Sequence, residues 1–287
     1  MDNRPIGVFD SGLGGLTAFS ELSNVLPNED IIYFGDTGRV PYGSRSADII
    51  KKYATDDVNF LLSKNVKMII SACGTVSSIC GNWLEEQLSV PFIGVVAHGS
   101  KAATNKTKTK NIGIIGTNAT VASGAYEKYI KTIMPQAKII GKACPLFVPL
   151  VENGYTDFEN QATRLICMDY LSIMKKAEVD TLILGCTHYG ILSPIIGDIM
   201  GNNVQLIDVG KETARYAAKL LSDNNLLKEN SYLNFSEEHF VENSGNYSFY
   251  VSDDVESFSK NASIFLKHPV NSMAKLINID NFLSKKL

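Results

Sequence analysis

The sequence lacks the features that mark several common protein classes. Its five cysteines include no Cys-x-x-Cys pair, which argues against a disulfide scaffold and against a structural zinc site. Neither sign of charge dominates: 27 basic and 30 acidic residues leave a net charge of -3. The electrostatic footprint of a nucleic-acid binder is therefore missing. No apolar run approaches the ~18 residues of a membrane-spanning helix, so no membrane span is expected. The opening Met1-Asp2-Asn3-Arg4 leads directly into Ile6-Gly7-Val8-Phe9-Asp10. That is too short and too early charged for a signal h-region, and a cytoplasmic location is expected. A Gly-x-Gly-x-x-Gly fingerprint, a Gly-Lys-Ser/Thr phosphate loop and clustered metal ligands are also missing, so neither a cofactor nor a metal is expected.

What is present is a chain of 287 residues, 45% hydrophobic and 20% charged. At roughly 100–200 residues per domain this suggests two domains, each with a real core. Short apolar runs alternate with helical patterns. Strands are predicted at 6–9, 31–34, 66–70, 92–96, 112–115, 181–184, 204–207 and 247–251. Helical faces are marked by Leu16, Phe19, Leu22 and Leu26, by Ile50, Ala54, Val58 and Leu61, and by Val76, Cys80, Leu84 and Leu88. Further helices are predicted from Glu212 and from Val255 to Leu266. Thr156-Asp157-Phe158-Glu159 has the form of a capping box opening a helix to Lys176. The lysine-rich stretch 101–110 reads as a solvated loop or helix surface. Continuous apolar strands alternating with helices imply parallel sheets covered on both faces.

The two halves echo each other. Residues 5–11 resemble 111–117, with Gly7 matching Gly113. Residues 68–75 resemble 182–188, with Cys73 matching Cys186. One such match between buried strands is weak, but two in the same order, each ending on a cysteine, point to two similar α/β domains.

In open parallel sheets ligands sit beyond the carboxyl ends of strands. Cys73 and Cys186 both occupy that position, before turns whose free N–H groups favour a thiolate. A free cysteine is often a small core residue instead. The polar neighbours Gly74-Thr75 and Thr187-His188 argue for chemistry here, whereas Cys80, Cys144 and Cys167 read as structural. Asp10 and Ser11 close the first strand and enter Gly12-Leu13-Gly14-Gly15. They are either turn residues or members of the same crevice as Cys73. His188 stands two residues from Cys186 and suits a proton partner; His98, His239 and His268 have no such context. Glu152 could hydrogen-bond a histidine or merely cap a helix.

These residues match a known pattern. Gly7-Val8-Phe9-Asp10-Ser11-Gly12-Leu13-Gly14-Gly15-Leu16-Thr17 strongly resembles the opening motif of glutamate racemases. So do Tyr33-Phe34-Gly35-Asp36-Thr37 with Pro41-Tyr42-Gly43, the segment Cys144 to Glu152, and Leu184-Gly185-Cys186-Thr187-His188-Tyr189; the closing Phe249-Tyr250-Val251 and its following helix are similar as well. The resemblance covers nearly the whole chain. It implies a first domain of residues 1–97 plus 210–287, a second of residues 98–209, and an active site in the cleft between them. It also implies a cofactor-independent homodimer that interconverts L- and D-glutamate and supplies D-glutamate for peptidoglycan. Cys73 and Cys186 would then exchange the proton, with Asp10 and His188 assisting and Glu152 orienting His188. Substrate contacts would fall to Asp10, Ser11, Tyr42, Gly43, Gly74, Thr75, Thr187 and His188.

The family's usual Cys-Asn-Thr is Cys73-Gly74-Thr75 here, and its proline after His-Tyr is Gly190. Glycine offers no side-chain contact, so restoring Asn at position 74 is expected to raise kcat/KM for glutamate. An aspartate or broader amino-acid racemase, a non-catalytic relative, and a Cys–His hydrolase using Cys186 alone are the alternatives.

Overall fold

The computed structural model describes residues 1–235, 244–266 and 274–282; His239 and His268 lie outside the described residues. In chain order its elements begin with β1 (Ile6–Asp10), α1 (Leu16–Val25), β2 (Ile31–Gly35), α2 (Ala47–Ser63), β3 (Met68–Ser71), α3 (Gly74–Gln87) and β4 (Phe92–Gly94). The middle of the chain forms α4 (Val95–Lys106), β5 (Asn111–Gly116), α5 (Asn118–Ala122), α6 (Ala125–Ile133), β6 (Lys138–Ala143), α7 (Phe147–Glu152), α8 (Gln161–Lys176) and β7 (Thr181–Leu184). The last elements are α9 (Ser193–Met200), β8 (Gln205–Asp208), α10 (Val209–Asp223), β9 (Tyr247–Val251), α11 (Val255–Phe265) and β10 (Lys275–Leu276).

The strands form two sheets, a six-stranded one of order β10-β9-β2-β1-β3-β4 and a four-stranded one of order β6-β5-β7-β8. Every pairing is parallel. β1, β3 and β7 are buried at every residue, because helices cover both faces of a parallel sheet. Edge strand β6, by contrast, is part-exposed along its length. The chain crosses between the sheets through α4 and returns through α10, which packs on both α1 and α4.

The echo between the halves extends to register. Phe9 of β1 pairs with Ser71 of β3, and their counterparts Ile115 and Leu184 pair in the second sheet. In each sheet the chain runs outward from β1 or β5 in both directions. The carboxyl ends of β1 and β3, and of β5 and β7, are therefore topological switch points, where a crevice opens.

Several sequence expectations are corrected. β4 stops at Gly94 and α4 begins at Val95, so residues 92–96 are not all strand. The 156–159 segment is no capping box: Asp157 Oδ1 accepts the Glu159 N–H, and α8 begins at Gln161, capped by Asn160 Oδ1 on the Thr163 N–H. An Asn cap does the same work without the reciprocal acid. The helix expected from Glu212 starts at Val209, because Asp208 Oδ1 caps the N–H groups of Gly210 and Lys211. α5, α6 and β6 carried no clear pattern in the sequence, being short or half-exposed. The lysine-rich stretch is the end of α4 plus a loop that Asp180 holds through Thr107 Oγ1 and the N–H groups of Lys108 and Thr109.

Beneath the first sheet lies an ion pair with both side chains fully buried. Lys67 Nζ stands 2.6 Å from Glu29 Oε2 and donates to the carbonyls of Asp2 and Leu226, both at 2.8 Å. Glu29 Oε1 accepts the Lys228 N–H at 2.7 Å. The pair thus ties the start of the chain to the segment after α10. Removing one partner strands the other charge in the interior. Lys67→Met is expected to destabilise the fold by about 3–5 kcal/mol in urea denaturation at neutral pH, and adding Glu29→Leu should recover most of that loss.

Candidate active site

The first half of the site hangs from β1. Asp10 ends the strand almost fully buried, and its Oδ2 accepts the Gly12 N–H at 3.0 Å. Its Oδ1 is buried with no hydrogen-bond partner among the described residues. Burial pushes the Asp10 carboxyl above its ordinary range, against the pull of the His188 charge and the Gly12 N–H. The glycine-rich turn that follows is pinned by Tyr33, whose hydroxyl donates to the Gly12 carbonyl at 2.6 Å. At Gly14 only glycine fits: a Cβ would stand 2.3 Å from Thr187 Oγ1 and 2.4 Å from His188 Nδ1. The turn therefore presses directly on the histidine of the other half.

Cys73 precedes α3, which starts at Gly74, and its Sγ lies 3.8 Å from Ser11 Oγ. Burial raises the thiol, the Asp10 charge raises it further, and the Val76 N–H at the helix start opposes both. A proton on Cys73 is accordingly held firmly.

The second half is arranged differently. Cys186 follows β7, and its Sγ lies 3.9 Å from His188 Nδ1. The far side of the ring, Nε2, is 3.0 Å from Glu152 Oε1 at the end of α7. Burial pulls the imidazole down, but its bonds and charge interactions with Cys186 and Glu152 outweigh this and raise it to about 10. His188 thus sits between Cys186 and Glu152, which together favour its charged form.

Asp10, Ser11, Tyr42, Gly43, Cys73, Gly74, Thr75, Glu152, Cys186, Thr187 and His188 all line one cavity of about 290 Å³. Two larger hollows, of about 650 and 720 Å³, lie elsewhere and hold neither thiol. The segment containing Tyr42 and Gly43 is held by a buried cluster rather than by the cavity. Arg39 bridges Asp36, Asp56 and Asp57, and the Tyr42 hydroxyl donates to Asp36 and lies 3.1 Å from Asp57. Burial and the Asp36 charge push the Asp57 carboxyl well up. The Tyr42 hydroxyl is thus committed to this cluster, and Tyr42 offers the cavity its backbone.

Thr117, Asn118, Val148 and Pro149 also line the cavity, although they were not singled out in the sequence. Thr117 could have been found: it is the counterpart of Ser11 in the repeat. Its Oγ1 lies 3.0 Å from Thr75 Oγ1, across the two halves. No lysine or arginine lines the cavity among the described residues. An anionic ligand there would be held by hydroxyls and N–H groups, including those at the start of α3.

Comparison with known proteins identifies the family. Residues 24–217 match the family model for Asp/Glu/Hydantoin racemases. The chain is 41% identical to a glutamate racemase of Geobacter metallireducens, over 93% of its own length and 94% of that protein's. It superposes with a TM-score of 0.86 on a glutamate racemase of Francisella tularensis solved in complex with D-glutamate, at 36% identity, covering 98% of this chain and 100% of that one. A Thermus thermophilus glutamate racemase solved with β-chloro-D-alanine gives a TM-score of 0.83 at 38% identity, covering 98% and 99%.

The histidine's environment is directly measurable. In an NMR titration His188 should stay protonated far above its ordinary value of 6.5 and lose its proton near 10. Glu152→Gln removes one of the two partners that favour the charged ring and should bring the midpoint down. Because the folded value is the higher one, the stability it contributes is full below about pH 6.5 and is lost as pH rises through about 10. A midpoint that ignores Glu152→Gln would contradict the pairing.

Proposed function

Because the chain belongs to the Asp/Glu/Hydantoin racemase family, we propose that it is an isomerase that interconverts L- and D-glutamate, with Cys73 and Cys186 moving the α-proton on opposite faces of the substrate. The observation that carries this is the convergence of two buried thiols, one from each sheet, on a single small cavity. A racemase needs a base on one side of the α-carbon and an acid on the other.

The two halves suit unequal starting states. Cys186 lies beside His188, whose charged form is favoured, while burial and the Asp10 charge favour the protonated form of Cys73. The thiolate takes the α-proton and the C–H electron pair passes into the α-carboxylate. The opposite thiol then gives its proton to the other face, leaving the two sulfurs with exchanged protonation states. A substrate of the other hand uses the reverse assignment. Asp10 acts beside Cys73, and Glu152 orients His188 from its Nε2 side. Ser11, Thr75, Thr187 and the backbone of Tyr42, Gly43 and Gly74 supply neutral donors to the substrate carboxylates. Enclosure of the cavity strengthens these contacts as charge builds on the carboxylate.

Residues 1–97 with 210–287 and residues 98–209 act in this proposal as the two jaws. Strands of the first sheet come from both ends of the chain, and those of the second from its middle, which supports the division. No helix among the described residues is long and apolar enough to cross a membrane. We place the enzyme in the cytoplasm as a homodimer, supplying D-glutamate for peptidoglycan, as the family pattern suggests.

Replacing either thiol tests the mechanism. Cys73→Ala and Cys186→Ala should each lower net racemisation, followed by circular dichroism, by at least about 10²–10⁴-fold. Wild-type enzyme in deuterium oxide should exchange the α-proton of both glutamate enantiomers. Racemisation at the wild-type rate by Cys73→Ala would rule out the two-thiol mechanism.

A further inference from the structure

Close to both thiols stands a buried tyrosine whose hydroxyl is bonded to nothing. Tyr126, on α6, is 2% exposed, and its hydroxyl has no hydrogen-bond partner among the described residues. Two glycines make room for the hydroxyl-bearing end of its ring. A Cβ on Gly99 of α4 would meet Tyr126 Cε1 at 3.5 Å, and a Cβ on Gly185 would meet Cε2 at 3.2 Å and Cζ at 3.5 Å. Gly185 immediately precedes Cys186, and its N–H is held by the Ile115 carbonyl at 2.8 Å. Its own carbonyl faces the turn of the first thiol, where a Cβ on Gly74 would lie 2.1 Å from the oxygen. The phenol end of Tyr126 is thus packed where the two thiol-bearing turns meet, although Tyr126 does not line the cavity. Burial keeps the hydroxyl protonated, and negative charge on Cys186 or on Cys73 acts in the same direction.

The other buried tyrosines all donate. The Tyr33 hydroxyl bonds the Gly12 carbonyl at 2.6 Å, that of Tyr189 bonds the Cys144 carbonyl at 2.8 Å, and that of Tyr42 bonds Asp36. A hydroxyl buried without a partner lowers stability, and phenylalanine would fill the same space without that penalty. We propose that Tyr126 is a positioning residue for the thiolates, its free hydroxyl turning its dipole toward whichever sulfur carries the negative charge. The inference rests on the two-thiol mechanism above. In each turnover the charge begins on one sulfur and ends on the other. A donor bonded permanently to one turn would favour one of these states and oppose the other. A phenol O–H has two in-plane orientations, and here it passes between them without breaking a hydrogen bond. In a dry interior such a dipole acts on a charge beyond hydrogen-bond distance.

Tyr126→Phe removes the oxygen alone. Thr213→Val is the control: Thr213 Oγ1, on α10, is another buried hydroxyl without a partner, and Thr213 does not line the cavity. Both variants should unfold at the same urea concentration as wild type or a higher one, since each loses an unpartnered polar group. In Tyr126→Phe, kcat for inversion should fall about tenfold in both directions while KM stays within about twofold. Independently of activity, alkylation of Cys73 and Cys186 by iodoacetamide at a fixed, mildly alkaline pH reports the thiolate fraction. Read by peptide mass spectrometry, it should be slower in Tyr126→Phe, because the thiolate has lost a favourable dipole. Thr213→Val should match wild type in kcat, KM and alkylation. Wild-type kcat or unchanged alkylation in Tyr126→Phe would overturn the proposal, as would a loss of stability, the mark of a hydroxyl that is partnered after all. Slower alkylation alongside a wild type that neither exchanges nor inverts glutamate would uphold the role of Tyr126 toward the thiolates and reject the racemase assignment.

Discussion

One backbone hydrogen bond, made twice, locates the chemistry. The Ala72 N–H donates to the Phe9 carbonyl at 2.9 Å, and the Gly185 N–H donates to the Ile115 carbonyl at 2.8 Å. Each is the last rung between the two central strands of its sheet, and each is followed by a cysteine. Beyond that rung the chain is released from the sheet, yet it is still enclosed by helices on both sides. A thiol at this position is buried enough to resist solvent and free enough to face a ligand. Repeating the rung at equivalent registers gives two such thiols, and the meeting of the two halves turns them toward one space.

The two thiols have different electrostatic surroundings. Cys73 has a buried carboxyl for a neighbour, Asp10, and both burial and that charge favour the protonated thiol. Cys186 has His188, which Glu152 helps to keep cationic. A repeated fold thus gives its two thiols unlike neighbours. The cavity is lined by hydroxyls and backbone N–H groups, with no lysine or arginine among its described residues. Fixed dipoles of this kind suit an anionic ligand without bringing a mobile cation near the thiols.

Holding these parts in place uses buried charge far from the substrate. Arg39 and its three aspartates fix the segment that carries Tyr42 and Gly43, and Ser252, after β9, donates to Asp36 at 2.7 Å. The Lys67–Glu29 pair joins the first residues of the chain to the segment after α10. Both networks connect parts of the chain that are distant in sequence, and both are costly to break because each charge is shielded from water.

The local order of elements was legible in the sequence because it rests on local physics. Short apolar runs such as 6–9 and 181–184, ended by turn residues, read as buried strands, and the repeat between the halves carried the equivalence of Cys73 with Cys186. The motif residues from Asp10 to His188 were likewise visible, since each departs from the pattern of the element it ends. Boundaries were less legible where caps decide them, as with Asn160 in place of the expected capping box and Asp208 ahead of Glu212. Short or half-exposed elements such as α5 and β6 had no periodicity to show. What no sequence pattern contained was the distance between the halves. That Thr117 meets Thr75, that the Tyr42 hydroxyl is bound to Asp36 and Asp57, and that Gly74 faces a carbonyl rather than an empty subsite are contacts between residues far apart in the chain. Side-chain type records what a residue can do alone; only the packing of one sheet against the other decides what it touches.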